Sequence, residues 1–467
     1  MRRFPVRLAV GACAGALAAA AVAPSSLHAQ GFGVYEQGAC TMARAGAAVA
    51  SSCNDGSAIY FNPAGIVAGP DSGPATLISA GGTLVGARGG FTDRFTGLES
   101  RLQDKFVPVP NLYLTHRIRP NLAAGIGLFA PYGLTIDWDP TSQGRFLAYH
   151  SRIAGVYIQP TVAYKFLDDR VSLGAGFDLS YVGVGLKQRV DLAAQTLPTG
   201  ATFGMLGVPT GTDFANVEVS GHGIGAGYHL GTQIKVTDRI QLGARYLSRQ
   251  LIKVNSATAK ITQIETGLAT ATALPGIPAG TPYDALVAPQ FADGGPLSDQ
   301  GGSTYLRFPD QLVLGVAVKP FERATLEFDY QYTWWSVFDQ LVLSFDRLGT
   351  RVQHEGYRNR STFRLGGEYA LTDATALRLG WYTHKGAAPA ETVTPLLPEG
   401  DRTSVTAGIG TRLGSAFRVD VAYQYIDQAD RRGRTTDGGL AVPTAAINNG
   451  LYMFHAHLIG ATFAYAF

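Results

Sequence analysis

Residues 325–335, TLEFDYQYTWW, alternate with a period of two: Leu326, Phe328, Tyr330, Tyr332 and Trp334 fall on one face of an extended strand, and Thr325, Glu327, Asp329, Gln331 and Thr333 on the other. One face is as apolar as lipid, and the other carries two carboxylates. The pattern returns in FRVDVAYQY, where Phe417, Val419, Val421, Tyr423 and Tyr425 oppose Arg418, Asp420 and Gln424, and in FRLGGEYA, where Phe363, Leu365 and Tyr369 oppose Arg364 and Glu368. A soluble sandwich burying its apolar faces and a membrane barrel presenting them to lipid both satisfy this local pattern. In a barrel, a charge on the lipid face at the bilayer midplane costs roughly 2–4 kcal/mol, which sets the register with these charges toward the lumen.

Turn placement separates the two folds. Short polar turns at 116–121, 167–170, 236–239, 319–323, 371–374 and 413–416 alternate with long segments around 86–107, 131–152, 187–216, 255–303, 336–359, 385–401 and 428–450. Six short turns and seven long loops imply fourteen strands. A sandwich has no reason to sort its loops by length. An outer-membrane barrel does, with short periplasmic turns and long extracellular loops, and an even strand number returns both barrel ends to the periplasm. The last residues, GATFAYAF, place Phe463, Tyr465 and Phe467 on one face, as a periplasmic aromatic girdle requires. The terminal Phe467 resembles the C-terminal signal read by the outer-membrane assembly machinery.

The start of the chain agrees with export. Arg2, Arg3 and Arg7 precede an apolar run over 8–23 and then SSLHAQ, which reads as a secretory signal peptide over 1–29. Beyond it no stretch of about 18 apolar residues occurs, which excludes a helical inner-membrane span. With a net charge of +3 and 16% charged residues, nothing suggests a nucleic-acid partner. Export leaves Cys40 and Cys53. Paired, they would close a loop of about 14 residues and contribute about 3 kcal/mol; unpaired, they would be two small residues packed in a plug.

QGFGVYEQGACTMARAGAAVASSCNDGSAIYFNPAGIV (30–67) resembles the N-terminal hatch of the FadL/TodX family of outer-membrane transporters for long-chain fatty acids and aromatic hydrocarbons, including its Asn-Pro-Ala signature, here Asn62, Pro63 and Ala64. GLFAPYGL (127–134), FPDQLVLGVAVKP (308–320), YTWWS (332–336) and LPEGDRTSVTAGIG (397–410) follow in order. The resemblance implies an all-β fold, a 14-stranded antiparallel transmembrane barrel over 72–467 with a hatch, or plug, over 30–71 inside its lumen. It also implies passive transport of a hydrophobic small molecule, caught by extracellular loops, held in a tighter pocket and released sideways into the membrane beside an inward kink in the third strand. No catalysis, cofactor or metal is implied. The expected partners are the hydrophobic ligand, outer-membrane lipid and lipopolysaccharide, and the assembly machinery, with the chain a monomer.

The residues support parts of this mechanism. In the third strand, Phe129, Ala130, Pro131, Tyr132 and Gly133 suit a bulge, since Pro cannot donate to the ladder and Gly admits unusual dihedrals; alternatively Pro131 begins the second long loop. Glycines two apart, Gly174 and Gly176, Gly183 and Gly185, and Gly221, Gly223, Gly225 and Gly227, would open room for a solute if they face the lumen, or serve tight curvature near the rim. In the fourth long loop Leu274, Ile277, Leu286, Val287 and Phe291 either pack on the third loop or form an apolar capture surface, or both. Lys187 and Arg189 are candidate contacts for a carboxylate, but the resemblance would put a basic residue near Gly183, and their displacement toward the loop gives weight to a neutral or aromatic hydrocarbon.

Three rival readings compete. His455 and His457 share a strand face but lack a third metal ligand. Asp178, Arg245, Glu327, Asp329, Arg364, Glu368, Arg378, Arg418 and Asp420 suit a bracing network better than an acid/base site of a membrane lipase or protease, with no nucleophile elbow in the chain. A general porin would need neither plug nor apolar loops. Within AIYFNPAGIV (58–67), Asn62 is expected to cap a short helix begun by Pro63 and, at the hatch tip, to contact the kinked third strand.

Overall fold

A computed structural model describes residues 32–68, 75–94, 96–197, 200–273, 276–433 and 449–467. The signal-peptide assignment and Leu274 lie outside them. The alternating segments become antiparallel strands: β1 (Thr76–Asp93), β2 (Glu99–Arg101), β3 (Phe106–Arg119), β4 (Leu122–Asp137), β5 (His150–Phe166), β6 (Val171–Asp191), β7 (Asp213–Lys235), β8 (Ile240–Leu247), β9 (Gln250–Gln263), β10 (Gln300–Phe308), β11 (Gln311–Phe321), β12 (Ala324–Thr333), β13 (Gln340–Phe345), β14 (Gly349–His354), β15 (Arg360–Ala370), β16 (Thr375–His384), β17 (Arg402–Leu413), β18 (Phe417–Arg432) and β19 (Gly450–Ala466). β1 pairs with β19 from Leu77↔Ala466 to Asp93↔Gly450, which closes the sheet into a barrel. The barrel has fourteen staves. β8 with β9, and β10 with β11, are single staves interrupted at 248–249 and 309–310, while β2 and the β13–β14 hairpin extend the wall at the long-loop end.

Period two decides what each side of the wall meets. On β12, Leu326 is 51% exposed and Glu327 1%, because the first faces outward and the second faces a filled lumen. Among the described residues no helix is long and apolar enough to cross a membrane; the strands provide the crossing.

Residues 32–68 fill the lumen. They fold into two single-turn helices, α1 (Ala39–Met42) and α2 (Ala58–Phe61), and a 3-10 turn, Pro63–Val67. Gly46 and Gly56 take φ of 75° and 79°, conformations that reverse the chain between these turns at little cost only for glycine. Cys40 and Cys53 are joined in a disulfide. Asn62 caps the 3-10 turn by accepting from the Ala64 N–H at 3.1 Å, with Pro63 at the first position.

The inner glycines make room for protein rather than for solute. A Cβ on Gly174 would collide with the Pro63–Ala64 peptide, one on Gly231 with Asn62, and one on Gly243 with the Val49 carbonyl. The row Gly221, Gly223, Gly225 and Gly227 lies under Ile252, Val254 and Gln250 of β9, which leans across β7. Gly183 and Gly185 lie instead on the outward face of β6 with the exposed Tyr181, and Gly183 has nothing within 4 Å of its Cβ position. Replacing Gly243 by Val is therefore expected to displace the 48–51 segment, cost about 1–3 kcal/mol by overpacking, lower the thermal midpoint and raise ion conductance. An unchanged midpoint and conductance would show that the hatch does not sit against β8.

Candidate functional site

The hatch is fixed to the wall by charges that the strand alternation turns inward. Asp329 accepts from the Ala48 and Val49 N–H groups at 3.0 and 3.3 Å, and Glu327 from those of Ala50 and Ser51 at 2.7 and 3.1 Å. Two carboxylates two residues apart thus satisfy four successive orphan donors of a non-repetitive segment. Arg44 lies 3.6 Å from Glu327. Arg364 donates to the Ala45 carbonyl at 3.0 Å and lies over the Tyr35 ring at 4.1 Å, while Arg245 lies over the Tyr60 ring at 4.8 Å. Arg378, Glu368, Arg418 and Asp420 form an adjoining network, with Arg378 and Asp420 2.7 Å apart. These inner charges hold the plug and wall together, whereas Asp178, expected in the same network, is buried on β6 with neither carboxylate oxygen hydrogen-bonded.

The wall is discontinuous at one seam. β3 and β4 pair only up to Leu112↔Leu128, whereas β3 stays paired with β1 through Phe106, and β4 continues to Asp137. The β4–β5 ladder shifts register between Phe129 and Tyr132, so Ala130 and Pro131 form a bulge. Pro108 and Pro110 lie on β3 opposite this gap. Being two apart, their missing donors fall on one side of the strand, the side that faces away from β1.

The bare edge of β4 is covered from inside by the hatch. Val34 donates to the Pro131 carbonyl at 2.8 Å, and Gly133 donates to the Phe32 carbonyl at 3.0 Å. The Gln37 amide donates to the Ala130 carbonyl at 2.7 Å and accepts from its N–H at 3.0 Å. Asn62 does not perform this role. Its amide donates to the carbonyls of Val49 and of Thr232 on β7, 2.6 and 2.9 Å away, because the Pro63–Val67 turn lies across the wall from β5 to β7 rather than at the seam.

Above the seam lies an apolar cavity lined mainly by Leu134, Ile153, Val184, Leu306, Phe338 and Leu341, contributed by strands and loops far apart in sequence. Its volume is about 70 Å³, against ~150 Å³ for an apolar cavity that holds benzene. Phe32 fills the space beside it, edge-on to Phe338, Phe308 and Trp335 at 5.4, 5.8 and 4.9 Å. Phe32 thus packs between Phe338, which lines the cavity, and Tyr132 beside the β4 bulge, 6.2 Å away.

Other expected residues fall elsewhere. Lys187 shares its face of β6 with Tyr181, opposite the cavity-lining Val184 and Leu186, and pairs with Glu218 at 2.9 Å. Arg189 lies near Asp213 and over the Tyr149 ring at 5.4 Å. Val287 is buried, and Leu286 and Phe291 pack against the same apolar cluster, with Phe291 edge-on to Phe214 at 5.9 Å. Tyr283 of this loop meets Phe203 of the third long loop at 5.5 Å. The fourth loop therefore packs on the third, with Ile277 outside that cluster. His455 and His457 sit with Tyr423 and Tyr425 on the outer wall.

A profile of the family described as outer membrane protein transport protein (OMPP1/FadL/TodX) matches residues 20–467. An outer membrane protein of Neisseria meningitidis serogroup B is 25% identical over 476 residues, covering 96% of this chain and 97% of its own. The long-chain fatty acid transport protein of Escherichia coli strain K12 is 23% identical over 378 residues, 77% of each chain. Among solved structures, a Pseudomonas aeruginosa FadL homologue superposes with a TM-score of 0.75 at 22% identity, covering 94% of this chain and 100% of that one. The P. putida toluene transporter TodX gives 0.65 at 16% identity, covering 94% and 99%. At these identities the structural likeness is one of fold.

The cavity is roofed by residues 385–401, whose Leu396 and Leu397 line it. Glu399 accepts from the Ala387 and Ala388 N–H groups, and the Glu355 carbonyl accepts from Thr392 at 2.7 Å. Burial pushes the Glu355 carboxyl up to about 8, opposed by a hydrogen bond from Gln353 and assisted by the nearby Glu399 charge. This value lies above the ~4.3 of a free Glu, so neutral Glu355 favours the closed roof fully below pH ~4, and that contribution is lost as pH rises through about 8. A spin label replacing the exposed Glu391 is expected to gain mobility over that window, by up to about tenfold in open population per pH unit. The dependence should vanish in Glu355→Gln; its persistence there would assign it to another group.

Proposed function

The chain belongs to the OMPP1/FadL/TodX family of outer-membrane transporters, and from that premise we propose that it admits a hydrophobic small molecule from outside the cell and releases it sideways into the membrane through the β3–β4 seam. The observation that carries this reading is the unzipped ladder beyond Leu128, where the hatch residues 32–37 take over the β4 edge at Ala130, Pro131 and Gly133 in place of β3. A solute leaving there enters lipid without crossing the lumen that the hatch occupies. Movement is passive: the solute gains by leaving water for the bilayer, and the protein supplies a path.

The cavity favours a neutral ligand. Its walls are aliphatic and aromatic apart from Ser151, Arg152 and Thr304. Lys187 is already paired with Glu218 on the opposite face of its strand. A carboxylate there would displace a charge-assisted bond without replacing the lost partner. The second reading, a fatty acid, rests on the named activity of the Escherichia coli relative and on Arg152 as the one cation among the lining residues. The outward aromatic row ending in the exposed Phe467 we assign to recognition by the assembly machinery.

Displacement of a fluorescent apolar probe from the detergent-solubilised protein at pH 8 is expected to rank an alkylbenzene at least as tight as a carboxylate of equal carbon number. A carboxylate tighter by about tenfold, ~1.4 kcal/mol, would overturn the neutral reading and direct attention to Arg152. Displacement by neither would remove the hydrophobic-solute reading itself.

A further inference from the structure

Outside the lumen, one patch of the wall has a composition that neither the hatch nor the solute path uses. On β7 the outward row of even-numbered residues from 224 to 234 is apolar apart from Thr232, and above it His222, Ser220 and Glu218 are polar. Ten residues at ~3.3 Å per residue, tilted about 40°, span roughly 25 Å, the height of the apolar band of an outer-membrane barrel. Ile224, 61% exposed, is therefore the last residue facing hydrocarbon on this strand. Its register partner is Lys253 of β9, which is paired in turn with Tyr305 of β10, so Lys253 marks the outer interface.

At this level the wall carries a notch of about 270 Å³. The β9–β10 ladder slips between Gly302 and Thr304, and the slip opens space among Lys253, Arg307, Asn255, Ser303, Tyr305 and Ser344. Lys253 and Arg307 are diagonal neighbours on one face, since Tyr305 pairs with Lys253 and Arg307 with Leu251. Arg307 lies over the Tyr305 ring at 5.0 Å, which holds its guanidinium along the wall. No carboxylate among the described residues pairs with either cation, and none lines the notch. Asp310, at the stave break below, is occupied by Arg249 at 2.8 Å and the Tyr246 hydroxyl at 2.6 Å. Two uncompensated cations, hydroxyl and amide donors, and apolar Leu251 and Ile224 on the membrane side thus converge on one spot.

We propose that this notch binds a phosphate of the phosphorylated glycolipid of the outer leaflet, with Lys253 and Arg307 on the phosphate oxygens, Asn255, Ser303 and Ser344 donating to the sugar, and the acyl chains descending over Leu251 and Ile224. The assignment rests on charge complementarity at the height where such a headgroup lies, and it places the lipid against the stave that leans over β7 rather than at the solute seam. Arg supplies a fork for two phosphate oxygens and Lys a point charge, a combination suited to a monoester.

The test is native mass spectrometry of the full mature chain in mixed micelles with bisphosphorylated lipid A, dephosphorylated lipid A, or inorganic phosphate. Wild type should retain bisphosphorylated lipid A at least about tenfold more tightly than the Lys253→Ala/Arg307→Ala variant, which should bind both lipids alike, with the heat-modifiable band of a folded barrel intact. Arg239→Ala, at a short turn on the opposite rim, should leave binding unchanged. Equal retention by wild type and the double variant, or of phosphorylated and dephosphorylated lipid by wild type, would overturn the proposal. Competition by millimolar inorganic phosphate would assign the notch to free phosphate instead. For a double variant that fails to fold, Ser303→Asp is the alternative: its added carboxylate should weaken lipid A binding to the same extent, and unchanged affinity would count against the site.

Discussion

The carboxylates of Glu327 and Asp329 on the backbone of residues 48–51 are the contact on which the rest of the molecule depends. Carboxylates buried in the lumen of a membrane barrel are tolerable only with donors in place, and an irregular segment inside that lumen has backbone groups that no ladder satisfies. Each deficit removes the other. The consequences run outward from that contact: glycines line the wall where the hatch passes closest, Arg364 and Arg245 hold its remaining carbonyls and rings, and the Cys40–Cys53 bond keeps the intervening loop compact.

The plug is anchored at its centre, and its first residues meet the wall through a separate set of contacts. Residues 32–37 are held on β4 by four hydrogen bonds, each worth about 1 kcal/mol net, and by Phe32, whose burial contributes roughly 1.5–3 kcal/mol. Parting the arm from β4 therefore costs roughly 5.5–7 kcal/mol, before the bonds that Gln37 and Glu36 receive from Tyr113 and Gln424, and a ligand shifts that population only by as much as it stabilises the detached state. An apolar solute enlarging the cavity beside Phe32 does so by occupying the space that this ring fills at rest. On the proposed route, binding and opening are coupled through this one aromatic side chain.

The barrel was legible because membrane strands obey a rule that each residue obeys separately: Leu326 outward, Glu327 inward, and the turn between β15 and β16 short where the loop between β16 and β17 is long. The hatch was legible through its Asn-Pro-Ala turn, whose cap follows from local chemistry. Its partner was not. Asn62 meets Thr232, some 170 residues away, and nothing local to Asn62 encodes which strand lies opposite. The same reason hid the cavity, assembled from Leu134, Val184, Leu306 and Phe338 on separate staves, and the role of Phe32 and Gln37. One signal at the seam was available: Pro108 and Pro110 in FVPVPN mark a strand with no use for donors on one side. The glycine rows announced close approach, but whether to solute or to protein depends on which segment fills the lumen.

On the proposed route, solute leaves only when the hatch arm parts from β4. The Gly133 Cβ position lies 3.5 Å from the Val34 Cγ2 atom, which brings the thiols of a Val34→Cys/Gly133→Cys pair within reach of a disulfide. With the native disulfide buried and each single variant as control, hydrocarbon uptake into cells should fall to background when this pair is oxidised and recover on mild reduction. Uptake at the wild-type rate through the oxidised pair would contradict release at the β3–β4 seam.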